Sequence, residues 1–163
     1  MIQEYFCVQL SDSIRLGLPL VDMTTVAQFD WQDICIVPGV AAFWYGVVNY
    51  KGSLLWVLDT DRLFDLKQNN NGESSHGLTQ KPVAVILTHQ VEATPRRVAL
   101  IVRQLEGILS LDSSKLMPLA TSAHPALQKL CRAMVDQNEQ TTYILNSPVF
   151  LKQLHQQSIL IAA

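Results

Sequence analysis

The chain has 163 residues, 48% of them hydrophobic and 16% charged, which is enough apolar side chain to bury a sizeable core. A net charge of −2, with no run of five basic residues, leaves nucleic-acid binding without electrostatic support. The longest apolar run, Val40 to Val48, is too short to span a bilayer, and the first residues lack the regions of a signal peptide.

Tyr5 to Leu10 reads as a first strand, turned by Ser11-Asp12-Ser13 into a second over Ile14 to Val21. Leu16, Leu18 and Leu20 alternate and give that strand one buried face, while Pro19 requires an outward N–H side or a bulge. Met23 to Gln28 continues as a strand, and Phe29 to Cys35 as a loop with a helical turn. Trp44 to Tyr50 and Ser53 to Leu58 then form a hairpin, with only Lys51 and Gly52 between them and Gly where φ must be positive. Leu54 to Leu58 shows no polar alternation, so both faces are expected to be covered. At roughly 1.5–3 kcal/mol for each fully buried side chain, this run is the largest single block of core. Asp59 caps a short helix that begins at Thr60.

Lys67 to Lys81 is almost without apolar residues and reads as a mobile surface loop, with His76 solvated in it. Val83 to Thr88, Val98 to Val102 and Gln104 to Leu111 are further strands, and Gly107 marks a bulge. His124-Pro125 opens a helix that ends at Leu130. At an offset of 87 residues, which sets Asn146 on Asp59, Val135 falls on Val48, Tyr143 on Trp56, Ile144 on Val57 and Phe150 on Leu63. The two halves therefore share a plan of strands, a hairpin and a capped helix. The second helix starts at Ser147 and runs to about Gln156, and the apolar tail from Ser158 packs back on the body.

No chemistry emerges from the remaining residues. The four histidines (His76, His89, His124, His155) share no metal-ligand spacing, and no nucleophile elbow, Walker loop or dinucleotide fingerprint is present. Three cysteines, Cys7, Cys35 and Cys131, without CxxC spacing, point to buried free thiols in a reducing cytoplasm. The Asp59/Asp61 pair is accounted for by helix capping, Trp44 and Trp56 by core packing, and Trp31 is the tryptophan left exposed. No catalytic residue, metal or cofactor is expected. Composition and spacing reach as far as a soluble β-rich domain.

One stretch goes further. Val37-Pro38-Gly39, Phe43, Gly46-Val47-Val48-Asn49, Lys51-Gly52, Val57-Leu58-Asp59 and Leu63 resemble the signature of the CheW-like domain, the adaptor module of bacterial chemosensory arrays, without a gap from Pro38 to Leu63. Leu100-Ile101-Val102 and Glu106-Gly107-Ile108 resemble a second family segment. The chain departs from the pattern at Ala41 and Ala42 (often Pro), Tyr50 (Leu), Lys51 (Arg), Thr25 (acidic) and Arg103 (Asp), and Asn146 is also divergent. Lys for Arg replaces a planar fork of donors by a point charge.

The resemblance implies a mainly β fold of two small five-stranded SH3-like barrels packed side by side, with a short helix after each. The whole chain, 1–163, would be one CheW-like domain, with barrels over about 14–81 and 82–150 and strands exchanged near the termini. It further implies a non-catalytic cytoplasmic adaptor that joins a methyl-accepting chemoreceptor to a CheA-type histidine kinase, touching the membrane only through the receptor. A groove between the barrels would take the tip of the receptor's helical hairpin. By position, Met23 and Val26 are candidates for the groove wall, and Asn49, Lys51 and Gly52 for the turn beside it. Lys51 leads, because a hairpin tip has no structural use for its charge. The divergent positions point to a pilus-linked or phototactic pathway. Two other classes stay open: an SH3-like binder of short peptides and a small-molecule sensor.

Overall fold

The computed structural model of the protein describes residues 1–11, 14–66, 81–91 and 93–162, and side chains as far as Leu154 apart from that of residue 91. In chain order the elements are β1 (Ile2–Gln9), β2 (Arg15–Pro19), β3 (Met23–Gln28), β4 (Trp44–Tyr50), β5 (Ser53–Asp59), α1 (Thr60–Leu63), β6 (Val83–Val91) and β7 (Thr94–Val102). They continue with β8 (Gln104–Asp112), α2 (Pro125–Leu130), β9 (Cys131–Gln137), β10 (Gln140–Leu145) and α3 (Ser147–Ala162). The protein is thus mainly β, as expected. The loop expected at Lys67 to Lys81, His76 included, lies outside the described residues except for Lys81, as do the side chains of His155 and the apolar tail.

The strands form two five-stranded sheets. A central sheet has the order β3-β6-β7-β5-β4, and a terminal sheet the order β8-β1-β2-β10-β9. Neither closes into the expected barrel: among the described residues no ladder joins β3 to β4 or β8 to β9. Each of the edges β4 and β9 instead meets one bridge from a preceding loop, Cys35 with Val47 and Met117 with Met134. A loop crossing at a single point covers the edge but cannot continue the ladder.

The offset of 87 holds element by element. Strand β4 maps on β9, β5 on β10, and the start of α1 on that of α3. Even the turns agree: Lys51 and Gly52 have φ of 50° and 81°, and Asn138 and Glu139 have 50° and 64°, so both are two-residue turns with paired positive φ. The sheets do not divide near residue 81, however. The hairpin β1–β2 of the first half completes the sheet of β8–β10, and β6–β7 of the second completes that of β3–β5. Parallel ladders β2·β10 and β5·β7 make these joins.

This exchange explains the unbroken apolar runs. Along β6, Ala84 and Ile86 point into the central sheet's own core with Val48, Leu55, Val57, Ala99 and Ile101. Val85 and Leu87 point the other way, into a core shared between the sheets with Leu16, Leu18, Leu58, Leu100, Phe64 and Phe150. Period-two alternation with both faces buried leaves no polar position. Tyr5, Leu111, Ala133, Val135 and Ile144 fill the terminal sheet.

Several local expectations change. Strand β2 stops at Pro19, which lacks the N–H to extend it, and Leu20–Asp22 forms a 3-10 turn that leaves Leu20 half-buried. Leu54 is 75% exposed, because β5 emerges past its neighbours next to the turn. Cys35 is exposed on the loop that bridges β4, whereas Cys7 and Cys131 are buried and all three are free. Helix α3 continues beyond Gln156 to Ala162. Gly107, at φ 91°, does sit at a bulge, where β8 shifts register against Cys7 and Val8.

Candidate functional site

The β4–β5 tip is built by its own sequence. Asn49 Oδ1 accepts a hydrogen bond from the Gly52 N–H (3.1 Å), and nothing lies within 4 Å of a Cβ placed on Gly52. Asn49 and Gly52 are therefore occupied with the turn. Lys51 is exposed, with its ammonium 5.3 Å from the centroid of the Tyr50 ring. Nothing described pairs its charge with a carboxylate.

Met23 and Val26 lie on β3, half-buried against the shared core. Thr25 between them donates to its neighbour's carbonyl, Val26 O, at 3.3 Å. Strands β3 and β4 are opposite edges of the central sheet, so the expected wall and the expected turn belong to different edges. The two edges approach where Phe29, just past β3, meets Tyr50 edge-on with ring centroids 6.3 Å apart.

The groove between the halves has other walls. Helix α3, continuing from β10, lies against the central sheet, and a cleft of about 360 Å³ opens between them. Trp56, Leu54, Pro95 and Arg97 line one side, and Leu151 and Leu154 the other. Trp56 is half-buried and packs on Trp44 at 5.1 Å between centroids. Sequence reasoning missed this wall because Leu54 was counted into the core. The i, i+3 spacing of Leu151 and Leu154 along α3 was the available signal.

A buried carboxylate ties the halves together. Asp59 caps α1 as expected, accepting from Arg62 N at 3.3 Å and pairing with Arg62 Nε at 3.3 Å. Asp61 does not cap. Buried at the foot of β7, it accepts from Ser11 N (2.8 Å), Ser11 Oγ (2.6 Å) and Arg103 Nε (3.0 Å). Ser11 belongs to the β1–β2 hairpin and Arg103 to the crossover from β7 to β8, so one carboxylate links both sheets. The charge reversal at Arg103 is thus answered inside the molecule. Burial and the neighbouring Asp59 carboxylate, to which the Tyr45 hydroxyl is bonded, hold that phenol above its ordinary range. Trp31 is half-buried, packed edge-on against Tyr45 at 5.3 Å.

Gly46 explains the glycine of the matched motif. At φ 150° it lies where a Cβ would overlap the carbonyl oxygen of Cys35, which accepts from Val47 N at 2.9 Å. His89 pairs with Asp22 (3.1 Å), and His124 caps α2. Among the described residues no group of three or more His, Cys, Asp or Glu could hold a metal, and no helix is long and apolar enough to cross a membrane.

Comparison with solved structures finds the scaffolding protein TtCheW from Thermoanaerobacter tengcongensis, 17% identical, covering 90% of each chain with a TM-score of 0.65. The two share the fold. No curated protein matches. The family model of the CheW-like domain matches residues 4–155, nearly the whole chain. This protein belongs to the CheW-like domain family.

Proposed function

We propose that the protein is a non-catalytic, cytoplasmic adaptor that couples a methyl-accepting chemoreceptor to a CheA-type histidine kinase. The observation that carries this reading is the family match over residues 4–155, which supports an adaptor role for the two-sheet unit. The geometry supplies surfaces suited to holding partners. The cleft beside α3 offers aliphatic and aromatic walls with Arg97 at the rim, the arrangement by which a groove receives an amphipathic helix. The tip of Asn49, Lys51 and Gly52 projects an exposed cation beside the Tyr50 ring, and the β3 edge presents Met23 and Val26. These five residues act as two contact faces. The departures at Lys51 and Thr25 support extending the proposal to a pilus-linked or phototactic pathway, in which deleting the protein impairs surface motility and spares swimming.

The test is capture of partners from a lysate of the source cell by the wild-type protein and by Lys51→Glu. The expected result is recovery of a histidine kinase and a helical receptor by the wild type and loss of one by the variant, with circular dichroism unchanged. Purified protein should also make kinase autophosphorylation receptor-dependent. Failure of the wild type to capture either partner overturns the adaptor.

A further inference from the structure

We propose that the open end of the terminal sheet is a binding site for a small amphiphilic carboxylate, an acyl chain bearing one negative charge. The duplication provides the control. Along the two parallel ladders Leu16 corresponds to Val98, and continuing that count in the sequence past the end of β2 sets Val21, in the 3-10 turn, at the position of Arg103. At the offset of 87, Arg132 corresponds to Tyr45 and Pro148 to Asp61. In the central sheet this end is closed: Val102 is buried, Arg103 meets Asp61, and Tyr45 meets Asp59. In the terminal sheet the plugging ion pair is replaced by Val21 and Pro148, which cannot form one. A cavity of about 850 Å³ is left there. That volume is in the range of small-molecule pockets, roughly 300–1,000 Å³.

The lining states the chemistry of the occupant. Ile2, Leu20 and Val21 supply the apolar lining, over the buried Tyr5 and Leu145. Val21 is 93% and Ile2 71% exposed at its lip, an exposure that an acyl chain would relieve. Arg132 is the cation of the cavity. Its Nη2 donates to Gln3 Oε1 (3.1 Å) and to Tyr5 Oη (2.9 Å), and the Tyr5 hydroxyl donates to Gln3 Oε1 (2.7 Å). These bonds spend both hydrogens of Nη2 and hold the planar guanidinium in place, leaving Nε–H and Nη1 as separate single donors to a carboxylate. Two carboxylates also border the cavity. Asp22 is held by His89 Nδ1 at 3.1 Å, and Glu4 is exposed at the border on the same alternation of β1 as Ile2. Neither forms an ion pair with Arg132 among the described contacts. The site lies outside the cleft beside α3 and does not depend on the adaptor reading.

The experiment is calorimetric titration of the full chain with octanoate and, as neutral isostere, octanamide. Octanoate should bind saturably, one per chain, and octanamide about tenfold more weakly, the effect of losing one charge-assisted contact. Arg132→Gln, checked by its melting curve, should lose octanoate affinity by a similar factor. A second variant, Val21→Arg with Pro148→Asp, rebuilds the plug of the central sheet, leaves Arg132 in place and should abolish binding. Absence of saturable octanoate binding to the wild type at millimolar concentration overturns the proposal. So does equal binding by wild type and the plugged variant, which would put the ligand elsewhere.

Discussion

Asp61→Ala tests whether one carboxylate joins the two sheets. The side chain is 5% exposed and accepts three hydrogen bonds, two from Ser11 and one from Arg103. Hydrogen bonds to a charged group contribute about 1.5–3 kcal/mol each when removed singly, and they are not additive. Breaking a fully buried pair costs about 3–5 kcal/mol. Arg103 is 29% exposed and can be rehydrated, which places the expected loss near the lower end, about 3 kcal/mol. For a chain of this length that is a fall in Tm of roughly 6–12 °C.

Arg103→Ala leaves Asp61 with both Ser11 donors and should cost less, about 1–2 kcal/mol. The double variant should fall short of the sum by about 1 kcal/mol, since the pair is counted twice. Urea unfolding followed by tryptophan fluorescence measures all three, with Trp44 and Trp56 on the central sheet as reporters. A loss below about 1 kcal/mol for Asp61→Ala, or strict additivity with Arg103→Ala, would refute the linkage.

Two further outcomes follow from single positions. Gly46→Ala forces a side chain into the Cys35 carbonyl at a φ that only glycine tolerates, so it should cost about 3 kcal/mol or more; Gly52→Ala, with open space around it, should cost about 1 kcal/mol. Equal melting temperatures for the two variants would contradict the packing around β4. Burial pushes the Cys131 thiol from its ordinary 9.0 up to about 12. Between those values the unfolded chain has released a proton that the folded chain retains, so stability is full below about pH 9 and falls as pH rises, by at most ~1.4 kcal/mol per unit. Cys131→Ala should flatten that fall in a series of urea midpoints, leaving the part due to Cys7 and Tyr45, whose groups are also raised. Parallel curves for wild type and variant would rule out the buried thiol as a source.

The amino-acid sequence alone determined several features that depend on neighbours a few residues apart. The Lys51-Gly52 turn, the cap at Asp59, the strand Met23–Gln28, the bulge at Gly107 and the offset of 87 are all set by local φ preferences, hydrogen-bonding side chains and apolar periodicity. The matched family motif added the mainly β, two-part architecture. Pairing between distant strands was decided only in the tertiary structure. The apolar runs of β5, β6 and β7 state that both faces are buried, but not which hairpin buries them, and the halves exchange β1–β2 for β6–β7. The same limit hid the partner of Arg103, the exposure of Leu54 beside α3, and the separation of Met23 and Val26 from Lys51 across the central sheet. Charge pairing and groove formation depend on distances through space, and chain order does not encode those until all the strands have found their places.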